Sequence, residues 1–207
     1  RSTLFPYTTL FRSARFLVTR MVYEFPELQG VMGREYARHD GEDPRVALAL
    51  YEQYLPRFAS DSLPTDDVGA ILGLAERIHI VVSCHKVGLE PTGSQDPYGL
   101  RRAARCINEI LWGRNLDLDL EEAVRESALL NQVEQDVLER ILAFIGQRLL
   151  VQLKEKGYEH ELAALALSVI GRRPCQALRL MEALNEVKDE PWFSDLMTNL
   201  ADRKSVV

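Results

Sequence analysis

The amino-acid sequence predicts an all-α fold, because apolar residues recur at three- and four-residue steps. Leu17, Met21 and Phe25 show this spacing near the start of the chain, and Val46 and Leu50 repeat it further on. No segment alternates between apolar and polar residues as a half-buried strand does. Proline, glycine and short polar turns separate the periodic segments. We therefore expect a succession of helices, each with one buried face.

The first two helices are predicted on either side of Pro26, whose missing N–H suits the first turn of a helix. The second of them places Gly30 and Gly33 in its interior, at a cost of about 1 kcal/mol each relative to Ala. Two helical glycines three residues apart indicate close approach of another helix. Further helices are predicted over Pro44–Ala59, Thr65–Lys86, Tyr98–Trp112, Leu120–Leu129, Gln132–Lys156, Glu159–Ile170, Pro174–Lys188 and Pro191–Leu200.

Composition and charge exclude several classes of protein. The 207 residues include 31 acidic and 25 basic side chains, and the net charge of −6 argues against a surface that binds nucleic acid throughout. A local basic patch stays possible. The longest apolar run, Ile78–Cys84, is too short to cross a membrane, so we expect a soluble protein. Three scattered cysteines without a C-x-x-C pair argue against a disulfide framework or a zinc site and fit a reducing cytoplasm: Cys84, Cys106 and Cys175.

The two ends of the chain read as translated DNA adapter sequence. Residues 1–13, RSTLFPYTTLFRS, have no helical or strand period and back-translate without a gap into a standard sequencing adapter. Residues 202–207, DRKSVV, back-translate into its reverse complement. We therefore expect both segments to be non-native. Without them the chain keeps 21 basic and 30 acidic side chains, a net charge of −9, so any nucleic-acid contact must be local.

One stretch concentrates positive charge. GLEPTGSQDPYGLRRAAR, residues 88–105, has a turn followed by a helix that Pro97 and Tyr98 begin and Asp96 caps. The helix places Arg101 and Arg105 on one face with Arg102 beside them, and planar guanidinium groups suit phosphate oxygens. The alternative is that these arginines pair with acidic residues of neighbouring helices. The turn that supports the helix is formed by Thr92, Gly93, Ser94 and Asp96.

No catalytic or metal-binding constellation is predicted. His39-Asp40 resembles the dyad of HD-type metal phosphohydrolases, but such sites need a second, earlier histidine and the chain has none. Cys84 and His85 point about 100° apart on a helix and so cannot form a nucleophile dyad; Cys84 is expected to be a small core residue.

Three segments resemble one family. MVYEFPELQGVMGREYARHDGE (Met21–Glu42), YLPRFASDSLPTDDVGAILGLAERI (Tyr54–Ile78) and PTGSQDPYGLRRAA (Pro91–Ala104) are similar to the beta subunit of bacterial glycyl-tRNA synthetase. The likeness runs in order from about Leu17 to Leu200. The family usually has aspartates where Glu76 and His79 stand, so no role for an acidic pair is carried over to those two positions.

The resemblance implies a segment of a large subunit in a tetramer of two alpha and two beta subunits. The alpha subunit uses ATP to activate glycine, and the beta subunit supplies binding to tRNA(Gly). Residues 14–115 would form an HD-like helical region without hydrolase activity, and residues 116–201 would continue towards an anticodon-binding domain. The fragment itself would bind no cofactor or metal.

The PTGS-DP turn and Arg101-Arg102 match the family residue for residue, which favours contact between this helix and tRNA. Two other hypotheses stay open at this point. One is a stand-alone HD-type phosphohydrolase that uses His39 and Asp40. The other is a helical spacer with no contact to RNA.

Overall fold

A computed structural model describes residues 24–58, 60–193 and 195. The described part consists of helices and turns without a strand, and the predicted all-α class is confirmed. A short 3-10 helix over Pro26–Leu28 precedes the α-helices. In chain order these are α1 (Val31–His39), α2 (Pro44–Glu52), α3 (Asp67–Lys86), α4 (Leu100–Gly113), α5 (Leu120–Leu130), α6 (Gln135–Glu155), α7 (His160–Ile170) and α8 (Pro174–Val187).

Some predictions fall on residues outside this description. The segments 1–13 and 202–207, assigned to adapter sequence, are among them. So are most of the helix predicted before Pro26 and the second half of the one predicted over Pro191–Leu200.

Helix α3 is the centre of the fold. It packs against α2, α4, α5 and α6, and nine of its residues are buried along its length. Among the described helices it is the one long and apolar enough by composition to cross a membrane, and half of that stretch is buried inside the protein. Its apolar character is therefore that of a core helix. The main core around it includes Leu74, Val81, Val82, Ile107, Ile110, Leu111, Val124 and Ile141.

The segment from Pro26 to His39 packs closely on α2 and the residues after it, although not as one continuous helix. Gly30 precedes α1 with a φ of 79°, a left-handed conformation that favours glycine and that ends the 3-10 segment before α1 begins. A Cβ at Gly30 would lie 2.7 Å from the Tyr54 ring, and one at Gly33 would lie 3.8 Å from the Cβ of Leu50. The predicted close approach is confirmed, whereas the placement of Gly30 inside a helix is wrong.

Helix α2 ends at Glu52, seven residues before its predicted end, because buried side chains bind the backbone that follows. The Arg77 guanidinium donates to the carbonyls of Tyr54 and Leu55 at 3.0 and 3.1 Å. The Glu52 carboxylate, 3% exposed, accepts from the N–H groups of Thr65 and Asp66 at 2.9 and 3.0 Å. These contacts hold both ends of the connection between α2 and α3: Arg77 binds the residues that follow α2, and Glu52 binds the residues that precede α3.

The last described helix, α8, and the turn before it pack on α4 and the start of α5. The Trp112 indole of α4 donates to the Pro174 carbonyl at 2.8 Å, and the Leu120 N–H donates to the Arg172 carbonyl at 2.8 Å. The main core draws on residues before and after position 115, so the two predicted regions share one apolar interior. The division into residues 14–115 and 116–201 stays a prediction.

Candidate nucleic-acid interface

Residues 92–95 form a tight, exposed turn in front of α4. The Gln95 N–H donates to the Thr92 carbonyl at 2.8 Å, and Gly93 adopts a φ of 52°. Thr92, Gly93, Ser94 and Gln95 are all exposed, and the N–H groups of Gly93 and Ser94 donate to no acceptor in the described part of the chain. The turn therefore presents backbone donors to solvent.

Asp96 joins this turn to the helix. Its carboxylate accepts from the N–H groups of Leu100 and Arg101 at 2.7 and 3.0 Å. It does so from three residues ahead of the N-cap position, which Gly99 occupies and not Asp96 as predicted. The helix begins at Leu100, two residues later than predicted, because Gly99 has a φ of 65° and breaks the helical path. The carboxylate of Asp96 reaches across this break and satisfies two N–H groups of the first turn.

Arg101 and Arg102 have no acidic partner among the described residues. The guanidinium of Arg101 donates to the Gly93 carbonyl at 2.6 Å, which ties the helix to the turn without compensating the positive charge. Arg102 is exposed and makes no ion pair within 4.0 Å in the same part of the chain. The start of α4, directly after the turn, therefore carries two guanidinium groups whose charge no described carboxylate compensates.

Arg105 differs from Arg101 and Arg102 because its guanidinium forms ion pairs with two carboxylates. Its Nε donates to Glu109 Oε1 at 2.8 Å and its Nη1 to Glu155 Oε2 at 2.7 Å. The hydrogen bond that Arg105 donates to Glu109 is the main cause that raises the pKa of Arg105. Arg114 likewise pairs with Asp67 at 2.6 Å. The alternative of pairing within the protein thus applies to these two arginines and not to Arg101 and Arg102.

Tyr98 is a residue of this surface that the sequence analysis did not single out as a binding residue. It lies in the turn before Gly99, and 53% of it is exposed. The signal that could have found it is an aromatic residue followed within four positions by two arginines, a combination typical of nucleic-acid surfaces.

His39 and Asp40 lie at the end of α1 in an open position. Their nearest side-chain atoms are 3.3 Å apart, and 88% and 51% of the two side chains are exposed. No group of three or more His, Cys, Asp or Glu side chains within the described ranges is arranged to hold a metal ion. The dyad therefore stands without the converging ligands that an HD-type site requires.

Cys84 and His85 do not form a dyad. The His85 ring is 2% exposed and its Nδ1 lies 2.7 Å from the Val81 carbonyl of the preceding turn, so the imidazole bonds to its own helix. Cys84 is half-buried and does not belong to the main core, so its expected place as a core residue is wrong. Burial raises the pKa of its thiol. A raised pKa disfavours the nucleophilic thiolate.

Comparison with known proteins gives one consistent result. Residues 13–168 match the family model described as glycyl-tRNA synthetase beta subunit. The glycine–tRNA ligase beta subunit of Syntrophomonas wolfei is 39% identical over 187 residues, which cover 87% of this chain and 27% of that protein. The corresponding protein of Bacillus subtilis is 40% identical over 179 residues, which cover 86% and 26%. That of Trichodesmium erythraeum is 45% identical over 157 residues, which cover 73% and 22%. The chain spans about a quarter of the length of these curated relatives.

Proposed function

Because the chain belongs to the glycyl-tRNA synthetase beta subunit family, we propose that it forms part of the tRNA-binding beta subunit of a glycine–tRNA ligase. The complete enzyme attaches glycine to tRNA(Gly) with ATP in the cytoplasm. Its partners are an alpha subunit, which activates glycine, and a second beta subunit. The segment described here contributes to binding tRNA and contains no catalytic centre of its own, and it binds neither ATP nor a metal ion.

The observation that carries this proposal is that Arg101 and Arg102 have no acidic partner within the part of the chain that the structure describes. Phosphate oxygens accept hydrogen bonds from guanidinium groups and from backbone N–H groups, and both kinds of donor are exposed at the turn and the start of α4. Arg101 and Arg102 would bind the RNA backbone, and Asp96 would fix their helix against the turn. Arg105 contributes less, because Glu109 and Glu155 already compensate its charge.

The proposal is tested in the assembled ligase by replacing Arg101 and Arg102 together with alanine. We expect the Kd for tRNA(Gly) to rise about tenfold, equivalent to about 1.4 kcal/mol. Glycine-dependent exchange of pyrophosphate into ATP, which needs no tRNA, should keep its rate because the site of activation lies on the alpha subunit. An unchanged Kd would contradict the proposal and favour the helical spacer. A loss of both activities would instead indicate damage to the assembly.

A further inference from the structure

The turn that carries the arginines also carries an exposed aromatic ring. Tyr98 is 53% exposed, and neither its hydroxyl nor its ring has a hydrogen-bond or aromatic partner among the described residues. Its neighbour Gly99 donates from its N–H to the Asp96 carbonyl at 3.1 Å, so the backbone on both sides of Tyr98 is held in a defined turn. The ring therefore projects from a fixed position that the packing of the fold does not explain.

The position of Tyr98 relative to the two arginines is also fixed. Arg101 and Arg102 follow it by three and four residues, so their Cα atoms lie at most about 11 and 15 Å from that of Tyr98. The Asp96 carboxylate binds the Arg101 N–H, which couples the turn to the helix. An aromatic ring thus lies close in the chain to two cations that have no acidic partner among the described residues, at a separation that one or two nucleotides can bridge.

We propose that Tyr98 stacks on an unpaired base of tRNA while Arg101 and Arg102 bind the phosphates beside it. This inference rests on the proposed function and adds that the surface binds single-stranded rather than double-stranded RNA. In a double helix the base faces are covered by their neighbours, so an aromatic ring stacks on single-stranded loops, bulges and ends. The segment that meets this turn is therefore unpaired.

The local charge of this surface, in contrast to the net charge of the chain, favours RNA over a protein partner. The chain has an excess of acidic residues, and Arg105 and Arg114 each pair with a carboxylate. Arg101 and Arg102 have no such partner in residues 24–58, 60–193 and 195. Stacking of a base on an aromatic ring and contact of its phosphate with arginine are the two components of single-strand binding.

The test uses the assembled ligase and a tRNA(Gly) transcript, with Tyr98→Ala and Tyr98→Phe compared side by side. Loss of the ring should weaken tRNA binding by roughly 5- to 100-fold. Tyr98→Phe keeps the ring and should bind as the wild type does. Since the change removes no charge, the slope of log affinity against log salt should stay the same in both variants. Trp192→Ala removes a ring of similar exposure, 54%, outside this turn and should leave tRNA binding unchanged.

The outcomes separate this inference from the proposed function. If Tyr98→Ala binds tRNA normally while the Arg101 and Arg102 double variant is weakened, stacking is overturned and phosphate binding stands. If the Tyr98→Ala variant and the double arginine variant both bind tRNA normally, both the stacking inference and the proposed function are overturned. Equal weakening by Tyr98→Ala and Tyr98→Phe would assign the effect to the hydroxyl and overturn stacking. Loss of subunit assembly with normal tRNA affinity in the remaining complex would identify a protein interface instead and also overturn it.

Discussion

Arginine is used in opposite ways at the junction of α2 and α3 and at the start of α4. Arg77 is 9% exposed and its guanidinium donates to five backbone carbonyls. These belong to Gln53, Tyr54, Leu55, Pro56 and Gly73, at 2.8 to 3.2 Å. Arg101 binds one carbonyl on the surface, and Arg102 makes no ion pair in the described part of the chain.

The difference shows what decides the role of a basic residue in an acidic chain. A guanidinium whose donors are all bound inside the protein holds backbone in place and has nothing left for a ligand. One that keeps its charge and most of its donors exposed is available to phosphate. Substitution of Arg77 should therefore destabilise the fold strongly and leave RNA binding unchanged. Substitution of Arg101 and Arg102 should weaken RNA binding and leave the stability of the fold unchanged.

The largest effect is expected for Arg77→Met. The substitution keeps apolar volume but leaves the carbonyls of residues 53–56 buried without their donor, and each such loss costs roughly 1–3 kcal/mol. We expect a loss of about 3 kcal/mol or more in the free energy of unfolding, measured by urea denaturation. Arg125→Met removes an exposed arginine paired with Glu121 and should cost about 1 kcal/mol or less. A similar small loss at Arg77 would contradict a structural role for its contacts.

A second prediction concerns the backbone beside Arg77. Gly73→Ala would place a Cβ 2.8 Å from the Gln53 carbonyl oxygen and 2.8 Å from Arg77 Nη1, so α2 and α3 must separate. We expect destabilisation by about 1–3 kcal/mol in thermal or urea unfolding. Gly146→Ala is the matched control, because a Cβ there meets nothing within 4 Å and the variant should gain about 0.5–1 kcal/mol. Equal behaviour of the two variants would refute the close approach of α2 and α3.

A smaller effect is expected for Asp96→Ala at the exposed region. The change removes two hydrogen bonds from the first turn of α4 and should cost about 1 kcal/mol of stability. It should also weaken tRNA binding slightly, since Arg101 loses its fixed position. Asp43→Ala removes the cap of α2, where Asp43 accepts from the Arg45 N–H at 2.7 Å. This control should match the stability loss and leave tRNA binding intact; an equal effect on tRNA in both variants would contradict a positioning role for Asp96.

Much of the fold could be predicted because helical periodicity is a local property of the sequence. The ends of helices were less predictable where distant residues decide them. Pro44–Ala59 was predicted as one helix, yet contacts from Arg77, more than twenty positions away, hold the backbone after Glu52 in another conformation. The regular apolar pattern around Gly30 predicted a helix through this residue. In the structure Gly30 adopts a left-handed φ, which the apolar pattern does not reveal.

The turn before α4 and the bonds from Asp96 to its first residues could be predicted from the sequence. The ion pairs of the arginines on α4 were less predictable. The Asp96 carboxylate binds N–H groups of the first turn of α4, although Gly99 and not Asp96 is the N-cap residue, because such bonds depend on residues within a few positions. Arg105 was grouped with Arg101 and Arg102 by helical spacing alone. Its partner Glu155 lies fifty residues further on, and no local pattern shows that the two helices bring these side chains together.

The most direct test compares two pairs of arginines along and just beyond α4 in the assembled ligase. The affinity for tRNA(Gly) is measured at several salt concentrations for the wild type, for Arg101 and Arg102 replaced by alanine, and for Arg105 and Arg114 replaced by alanine. Each lost phosphate contact should flatten the slope of log affinity against log salt by about 0.7 to 0.9. We expect the first variant to flatten it by roughly twice that amount, and the second, whose charges are already compensated, to leave it nearly unchanged. An unchanged slope in the first variant, or equal flattening in both, would contradict a tRNA-binding role for Arg101 and Arg102.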